Sequence, residues 1–100
     1  DHVSMGWAAG LKLRRSVDGL TRVLAIELLT SARALDMRDG GIDTSRSAPA
    51  VTAVRSALRA VVPGPGPDRY LAPEIEAARL LVADGSLLAA ADAVLGGPLL

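Results

Sequence analysis

The sequence has no cysteine and no phenylalanine, and it has a single histidine, His2, among its 100 residues. A zinc site needs clustered Cys or His ligands, so we exclude a metal site, and no disulfide framework is available. With one tryptophan and one tyrosine, the core has to be built from alanine and aliphatic side chains. Alanine buries little apolar area, so we expect marginal stability in isolation and support from another chain.

An excess of charge of either sign is also missing. Eleven Lys and Arg residues balance eleven Asp and Glu residues. No overall field therefore favours nucleic acid or an anionic membrane as a partner. Apolar runs long enough to cross a bilayer are absent, and the first residues lack the order of a secretory signal. We expect a cytoplasmic protein of one domain. The sequence opens at Asp1 rather than at Met, which suggests a processed or excised segment.

The first third of the sequence carries the strongest pattern. Apolar residues recur at steps of three and four from Leu13 to Leu35 and predict a long helix over about residues 4–37. Between Val23 and Leu29 a second face is apolar as well, which predicts burial all round and a neighbouring arginine paired with Glu27. Thirty helical residues run about 45 Å, too long for a compact chain of this size. The helix should therefore protrude, bend near Gly19, or belong to a larger bundle.

The remainder of the chain predicts shorter helices separated by glycine and proline. The long helix should end at the glycines 40–41, with Ser47 and Ser86 as N-caps of later helices. Residues 62–67 alternate proline with glycine and predict an extended connector. The three shorter helices are predicted over about residues 48–61, 73–84 and 87–95. No strand signal appears, so the predicted class is all-α, one long helix followed by three shorter helices.

Local chemistry offers no self-sufficient active site. Asp36, Asp39 and Asp43 depart from the spacing of a calcium loop, which favours a solvated loop. The Gly64–Gly66 segment follows no strand and has proline where a phosphate loop needs amide donors. His2 is suited to acid or base chemistry, but a lone histidine near a terminus is usually incidental. No Ser-His-Asp or Cys-His set is present.

Four segments carry a resemblance to a known family. Asp1-His2-Val3-Ser4-Met5-Gly6 is similar to the tail of the Gln-Glu-Asp-His-Val-Ser-Met-Gly motif of the histidine ammonia-lyases. Segments 20–27 (LTRVLAIE), 34–38 (ALDMR) and 68–75 (DRYLAPEI) agree with the same family in order and spacing. The resemblance covers essentially all of residues 1–100. It implies the C-terminal helical segment of a longer, mainly α-helical enzyme, a carbon-nitrogen lyase.

The resemblance also implies a reaction, the non-oxidative elimination of ammonia from L-histidine to give urocanate. In the family the electrophile is a methylidene-imidazolone (MIO) group made from an internal Ala-Ser-Gly, which this chain lacks; Ala83-Asp84-Gly85 has no hydroxyl at its middle residue. The family's catalytic glutamate would precede Asp1. The resemblance therefore places no catalytic, cofactor-binding or metal residue in this segment. Asp1 and His2 would form a wall of the substrate pocket, and the isolated chain should be inactive.

Family members are homotetramers whose long helices form a central bundle and whose active sites are shared between subunits. The implied partners are the rest of the parent chain, its tetramer and L-histidine. Gly19 stands where the family commonly has asparagine. A glycine inside a helix lowers stability by about 0.5 to 1 kcal/mol relative to alanine. A second interpretation remains open, a stand-alone helical oligomerisation or interaction module. A third and weaker interpretation is a helix that lies on a membrane surface. Nearby acidic residues compensate the charges of Arg14, Arg15 and Arg22, which disfavours it.

Overall fold

The computed structural model describes residues 2–38, 40, 45 and 47–97, with side chains from Met5 onward. Within these residues the chain forms helices and no strand. The helices are α1 (His2–Arg38), α2 (Pro49–Arg59), α3 (Ala72–Ala83) and α4 (Ser86–Leu95). The predicted class, all-α with one long helix followed by three shorter ones, is confirmed.

Helix α1 determines the shape of the molecule. Its 37 residues run through Gly19 as one helix and correspond to about 55 Å at 1.5 Å per residue. The longest dimension of the structure is 59 Å, so α1 extends past the rest of the chain. The helix ends at Arg38, and Gly40 follows with a positive φ of 64° that suits glycine. Of the three arrangements expected for so long a helix, this chain by itself shows the protruding one.

The ends of the shorter helices differ from the predicted caps. Helix α2 begins at Pro49 with Ala48 as its N-cap residue and no side-chain cap. Ser47, predicted to cap α2, instead accepts a hydrogen bond from Nη2 of Arg38 at 2.9 Å. Ser86 was expected to cap α4, but it is the first residue of that helix and Gly85 is the N-cap, with a left-handed φ of 79°. A proline at the first helical position lacks an amide hydrogen, which removes one of the donors that a cap would satisfy.

Helix α1 packs against α3, and α2 packs against α4. Helices α3 and α4 also contact each other. The buried core is small and consists mostly of short side chains. Leu58 and Val62 are its largest fully buried side chains. Its buried members among the described residues are Ala25, Ala32, Leu58, Val62, Ala78, Leu87 and Ala91. This composition agrees with the thin, alanine-rich core expected from the sequence.

This chain alone does not bury residues 23–29 all round, and their predicted burial in a larger bundle stays a prediction. Val23 and Ile26 are about half exposed, at 54% and 47%, and Glu27 is exposed and forms no ion pair with a described residue. Only the face of α1 that carries Ala25 meets other core residues. The second apolar face has no covering helix within the described part of the chain. In those same residues, no helix has both the length and the hydropathy that crossing a bilayer requires.

Candidate functional site

The predicted pocket wall consists of Asp1 and His2, the first two residues of the sequence. Asp1 lies outside the described residues, as does the side chain of His2, whose backbone begins the helix. The structure therefore leaves their pocket role as a prediction.

The first half of α1 presents an open apolar surface. Met5 and Trp7 are about 70% exposed, and every side chain from Met5 to Leu20 is exposed to solvent. Within this half, one apolar row recurs at steps of three and four and continues to the second half of the helix. We call it the open seam; its members are Leu13, Val17, Leu20 and Leu24, each between 42% and 66% exposed. Contiguous exposed apolar rows of this kind mark interaction surfaces.

At the other end of α1 lies a buried carboxylate, Asp36, which is only 7% exposed. Its Oδ1 accepts a hydrogen bond from Nε of Arg55 at 2.9 Å and forms an ion pair with Nη2 at 2.7 Å. Its Oδ2 accepts a hydrogen bond from Nε of Arg59 at 3.0 Å, and Nη2 of the same residue is also bonded to it. A carboxylate removed from water needs such partners, and Asp36 has them on both oxygens.

Arginine side chains also hold the proline-rich connector. Nη1 of Arg59 donates to the carbonyl oxygen of Pro63 at 3.0 Å, and Nη2 of Arg69 donates to that of Gly64 at 2.9 Å. Arg69 also binds both carboxylate oxygens of Glu74. A side chain at residue 66 would place its Cβ 3.2 Å from Nη1 of Arg69, so glycine leaves room for the guanidinium. Five residues form this arginine network: Asp36, Arg55, Arg59, Arg69 and Glu74.

The network has an electrostatic consequence. The hydrogen bond from Arg69 lowers the pKa of Glu74 below its ordinary value, and the charge of Arg59 adds to the effect. The same contact raises the pKa of Arg69. Both groups are therefore charged over the physiological range, which maintains the clamp on the connector.

Two hollows adjoin this end of the molecule. The first, of about 150 Å³, lies between α1, the connector and the start of α3, and Arg33, Arg59 and Arg69 reach it from separate positions in the sequence. Its other lining side chains are mainly apolar, among them Ile26 and Ile75. The second hollow, of about 270 Å³, lies between α1, α2 and α4 and is almost entirely apolar.

The motif segments hold the fold together at this end. Segment 20–27 contributes Ala25 to the core, and segment 34–38 contributes Asp36 to the arginine network. Segment 68–75 contributes Arg69 and Glu74. Sequence reasoning missed the network, although two arginines four residues apart on α2 occupy one helix face and indicate a shared anionic partner.

Neither a calcium site nor another metal site is visible in the described residues, where no group of three potential ligands comes together. Asp36 forms ion pairs with two arginines, and Asp39 and Asp43 lie outside the described residues. The connector expected at residues 62–67 is present as a non-helical segment between α2 and α3.

The Ala83-Asp84-Gly85 tripeptide joins α3 to α4. The Asp84 carboxylate accepts hydrogen bonds from the backbone N–H and the hydroxyl of Ser86. These bonds lower the pKa of Asp84. Asp84 therefore stabilises the turn as an anion. This tripeptide does not fit the MIO group, because its middle residue has no hydroxyl to eliminate.

Comparison with known proteins agrees with the four motif segments. The family profile described as aromatic amino acid lyase matches residues 1–60. The chain belongs to the aromatic amino acid lyase family. No solved structure matches it.

Three bacterial relatives of this lyase-family chain are histidine ammonia-lyases. The protein of Streptomyces avermitilis is 52% identical over 96 residues, 96% of this chain and 18% of the relative. The protein of Streptomyces coelicolor is 53% identical over 97 residues, with the same two coverages of 96% and 18%. The protein of Symbiobacterium thermophilum is 47% identical over 96 residues, again 96% of this chain and 18% of the relative. The chain thus spans about a fifth of the length of these relatives.

Proposed function

We propose that this chain is the C-terminal part of a histidine ammonia-lyase, which converts L-histidine to urocanate and ammonia. The observation that carries the proposal is the identity of 52% to a histidine ammonia-lyase over 96% of the chain. Family membership alone leaves the substrate open among aromatic amino acids. The motif beginning Asp1-His2-Val3-Ser4-Met5 favours histidine, because it is similar to the histidine-specific branch.

In the proposed enzyme this segment positions groups and supplies no catalytic residue. Asp1 and His2 would form a wall of the substrate pocket at the start of α1. The arginine network would fix the opposite end of the same helix, since both oxygens of Asp36 are bonded. The segment's task is therefore to hold α1, and with it the pocket wall, in a defined direction.

The MIO group of the family has no place among the residues of this chain. The chain has no Ala-Ser-Gly, and Ala83-Asp84-Gly85 is committed to the turn between α3 and α4. In the proposed enzyme the electrophile belongs to another part of the protein, and no step of the elimination is assigned to residues described here.

The proposed partners are the remainder of the lyase and further subunits of a homotetramer in the cytoplasm. The open seam supports this proposal, because its four aliphatic side chains are exposed along α1. The same surface would serve a stand-alone oligomerisation module, which was the alternative interpretation. The similarity to histidine ammonia-lyases over nearly the whole chain favours the lyase.

A chimera tests the proposed function. The chain would replace the segment that it matches in the Streptomyces avermitilis relative, and urocanate formation would be followed by its ultraviolet absorbance. We expect the chimera to form urocanate from L-histidine and a second chimera with His2→Ala to lose most of that activity. A relative lacking the matched segment is the control for background. An inactive chimera of native size and helicity would contradict the proposal, and so would turnover by the isolated chain.

A further inference from the structure

The hollow beside the arginine network has the features of a small binding site. It lies between Ile26 and Arg33 of α1, the connector and the start of α3, and its volume is about 150 Å³. A cavity of about this size, with aliphatic walls, is large enough for a benzene ring. Here the walls are likewise mostly aliphatic, whereas the charged side chains are few and belong to the arginine network and Arg33.

Positive charge is in excess around this hollow. Arg33, Arg59 and Arg69 line it together with one acidic side chain, Glu74. Behind Arg59, the carboxylate of Asp36 is shared with Arg55. Four guanidinium groups and two carboxylates thus lie in and behind the wall of the cavity. An apolar cavity with this excess of positive charge favours an anion over a cation or a neutral ligand.

Donors remain available within this cluster. A guanidinium has five N–H donors, and those of Arg69 that are used belong to Nε and Nη2. Nη1 of Arg69 donates no hydrogen bond to a described residue. Arg33 likewise forms no hydrogen bond or ion pair with any part of the chain that the structure describes. The bonds of Arg59 and Arg69 to carbonyls and carboxylates hold these two side chains in place before any ligand arrives.

We propose that this cavity binds a small organic acid, whose carboxylate bonds to Arg33 and Arg69 and whose apolar body packs against Ile26 and Ile75. A planar aromatic carboxylate fits the volume, the apolar wall and the excess of positive charge. The proposal concerns the 100-residue chain itself and is independent of lyase activity.

The test is a titration of the isotope-labelled chain with benzoate, acetate and inorganic phosphate, monitored through the NMR signals of the arginine Nε–H groups. We expect saturable shifts of the Arg33 and Arg69 signals with benzoate. Acetate should bind at least about fivefold more weakly, because it leaves the apolar wall uncovered. Phosphate binding as tight as that of benzoate would overturn the assignment to an organic acid.

Two variants and a control complete the experiment. Arg33→Gln should weaken benzoate binding at least about fivefold through loss of a charged donor. Ile26→Ser should bring benzoate close to the affinity of acetate. Arg14→Gln, on the exposed first half of α1, should change neither affinity. Linear shifts without saturation, or Arg33→Gln binding like the parent chain, would overturn the proposal.

Discussion

Asp36 at the end of α1 and Arg55 in the middle of α2 form a buried ion pair, with 2.9 Å between Oδ1 and Nε and only 7% exposure of each residue. The pair joins two helices across the loop between Arg38 and Pro49, and Arg59 joins the same carboxylate. The removal of one partner from a buried ion pair leaves a charge without its counterion in a poorly solvated place.

We therefore predict that Asp36→Ala lowers the free energy of unfolding by about 3 to 5 kcal/mol. Urea unfolding followed by circular dichroism measures the change. Arg59→Gln should lower the free energy of unfolding by less than Asp36→Ala does, because Arg59 is more exposed than Arg55. Asp68→Ala, at an exposed position just after the connector, is the matched control and should change the free energy of unfolding little. Equal effects of Asp36→Ala and Asp68→Ala would contradict the structural role of the pair.

The ion pair of Glu74 with Arg69 should make the stability of the chain depend on pH. The hydrogen bond from Arg69 lowers the pKa of Glu74 from its ordinary value of 4.5. A carboxyl group with a depressed folded pKa contributes stability above its unfolded pKa, and this contribution is lost as the pH falls through the folded pKa. The urea midpoint should therefore fall on acidification below about pH 4.5, and the difference between the chain and Glu74→Gln should shrink. A stability difference between the chain and Glu74→Gln that is unchanged at pH 3 would refute this account.

Two glycines should respond oppositely to alanine. Gly85 has a left-handed φ of 79°, which disfavours a side chain, so Gly85→Ala should destabilise the chain by about 1 kcal/mol. Gly19 lies inside α1, and an added Cβ there would meet no atom within 4 Å. Gly19→Ala should therefore stabilise the chain by about 0.5 to 1 kcal/mol. Thermal unfolding of the two variants compares them directly, and a shift of the same sign in both would show that backbone conformation does not decide the outcome.

The open seam predicts self-association of the isolated chain. Leu20 is 57% exposed, so Leu20→Ser removes apolar surface with little effect on the core. We expect sedimentation equilibrium to show a smaller mean mass for Leu20→Ser than for the parent chain at equal concentration. Leu88→Ser, at an exposed position of α4, should leave the mean mass unchanged. A parent chain that sediments as a folded monomer at all concentrations would contradict the prediction.

The sequence was sufficient to predict the helices but not all of their surroundings. Steps of three and four identify α1, and glycine and proline mark its end and the connector, because these signals are local in the chain. The burial predicted around Glu27 is not supplied by this chain, since periodicity identifies an apolar face without identifying the helix that covers it. The pair of Asp36 with Arg55 was missed for a related reason: the partners are 19 residues apart, and only the folding of the chain brings them together.

The site was predictable only through resemblance. The family motif placed Asp1 and His2 beside a substrate, and their contribution stays a prediction. In contrast, the role of Arg69 in holding the connector follows from its bonds to Gly64 and Glu74 in the folded chain. The prolines of the connector gave no indication of that clamp, because a proline-rich spacer and a fixed loop have the same composition.

Because much of α1 is uncovered, a small rotation of its buried part produces a large displacement of its far end. Ala32 is buried in the core, and Met5 lies about 40 Å away along the helix axis. A rotation of α1 by only about 5° about Ala32 would move Met5 by about 3.5 Å, which exceeds the donor–acceptor distance of a hydrogen bond. In the proposed enzyme, a small displacement around Asp36 would therefore be magnified at the start of α1, where the pocket wall is proposed to lie.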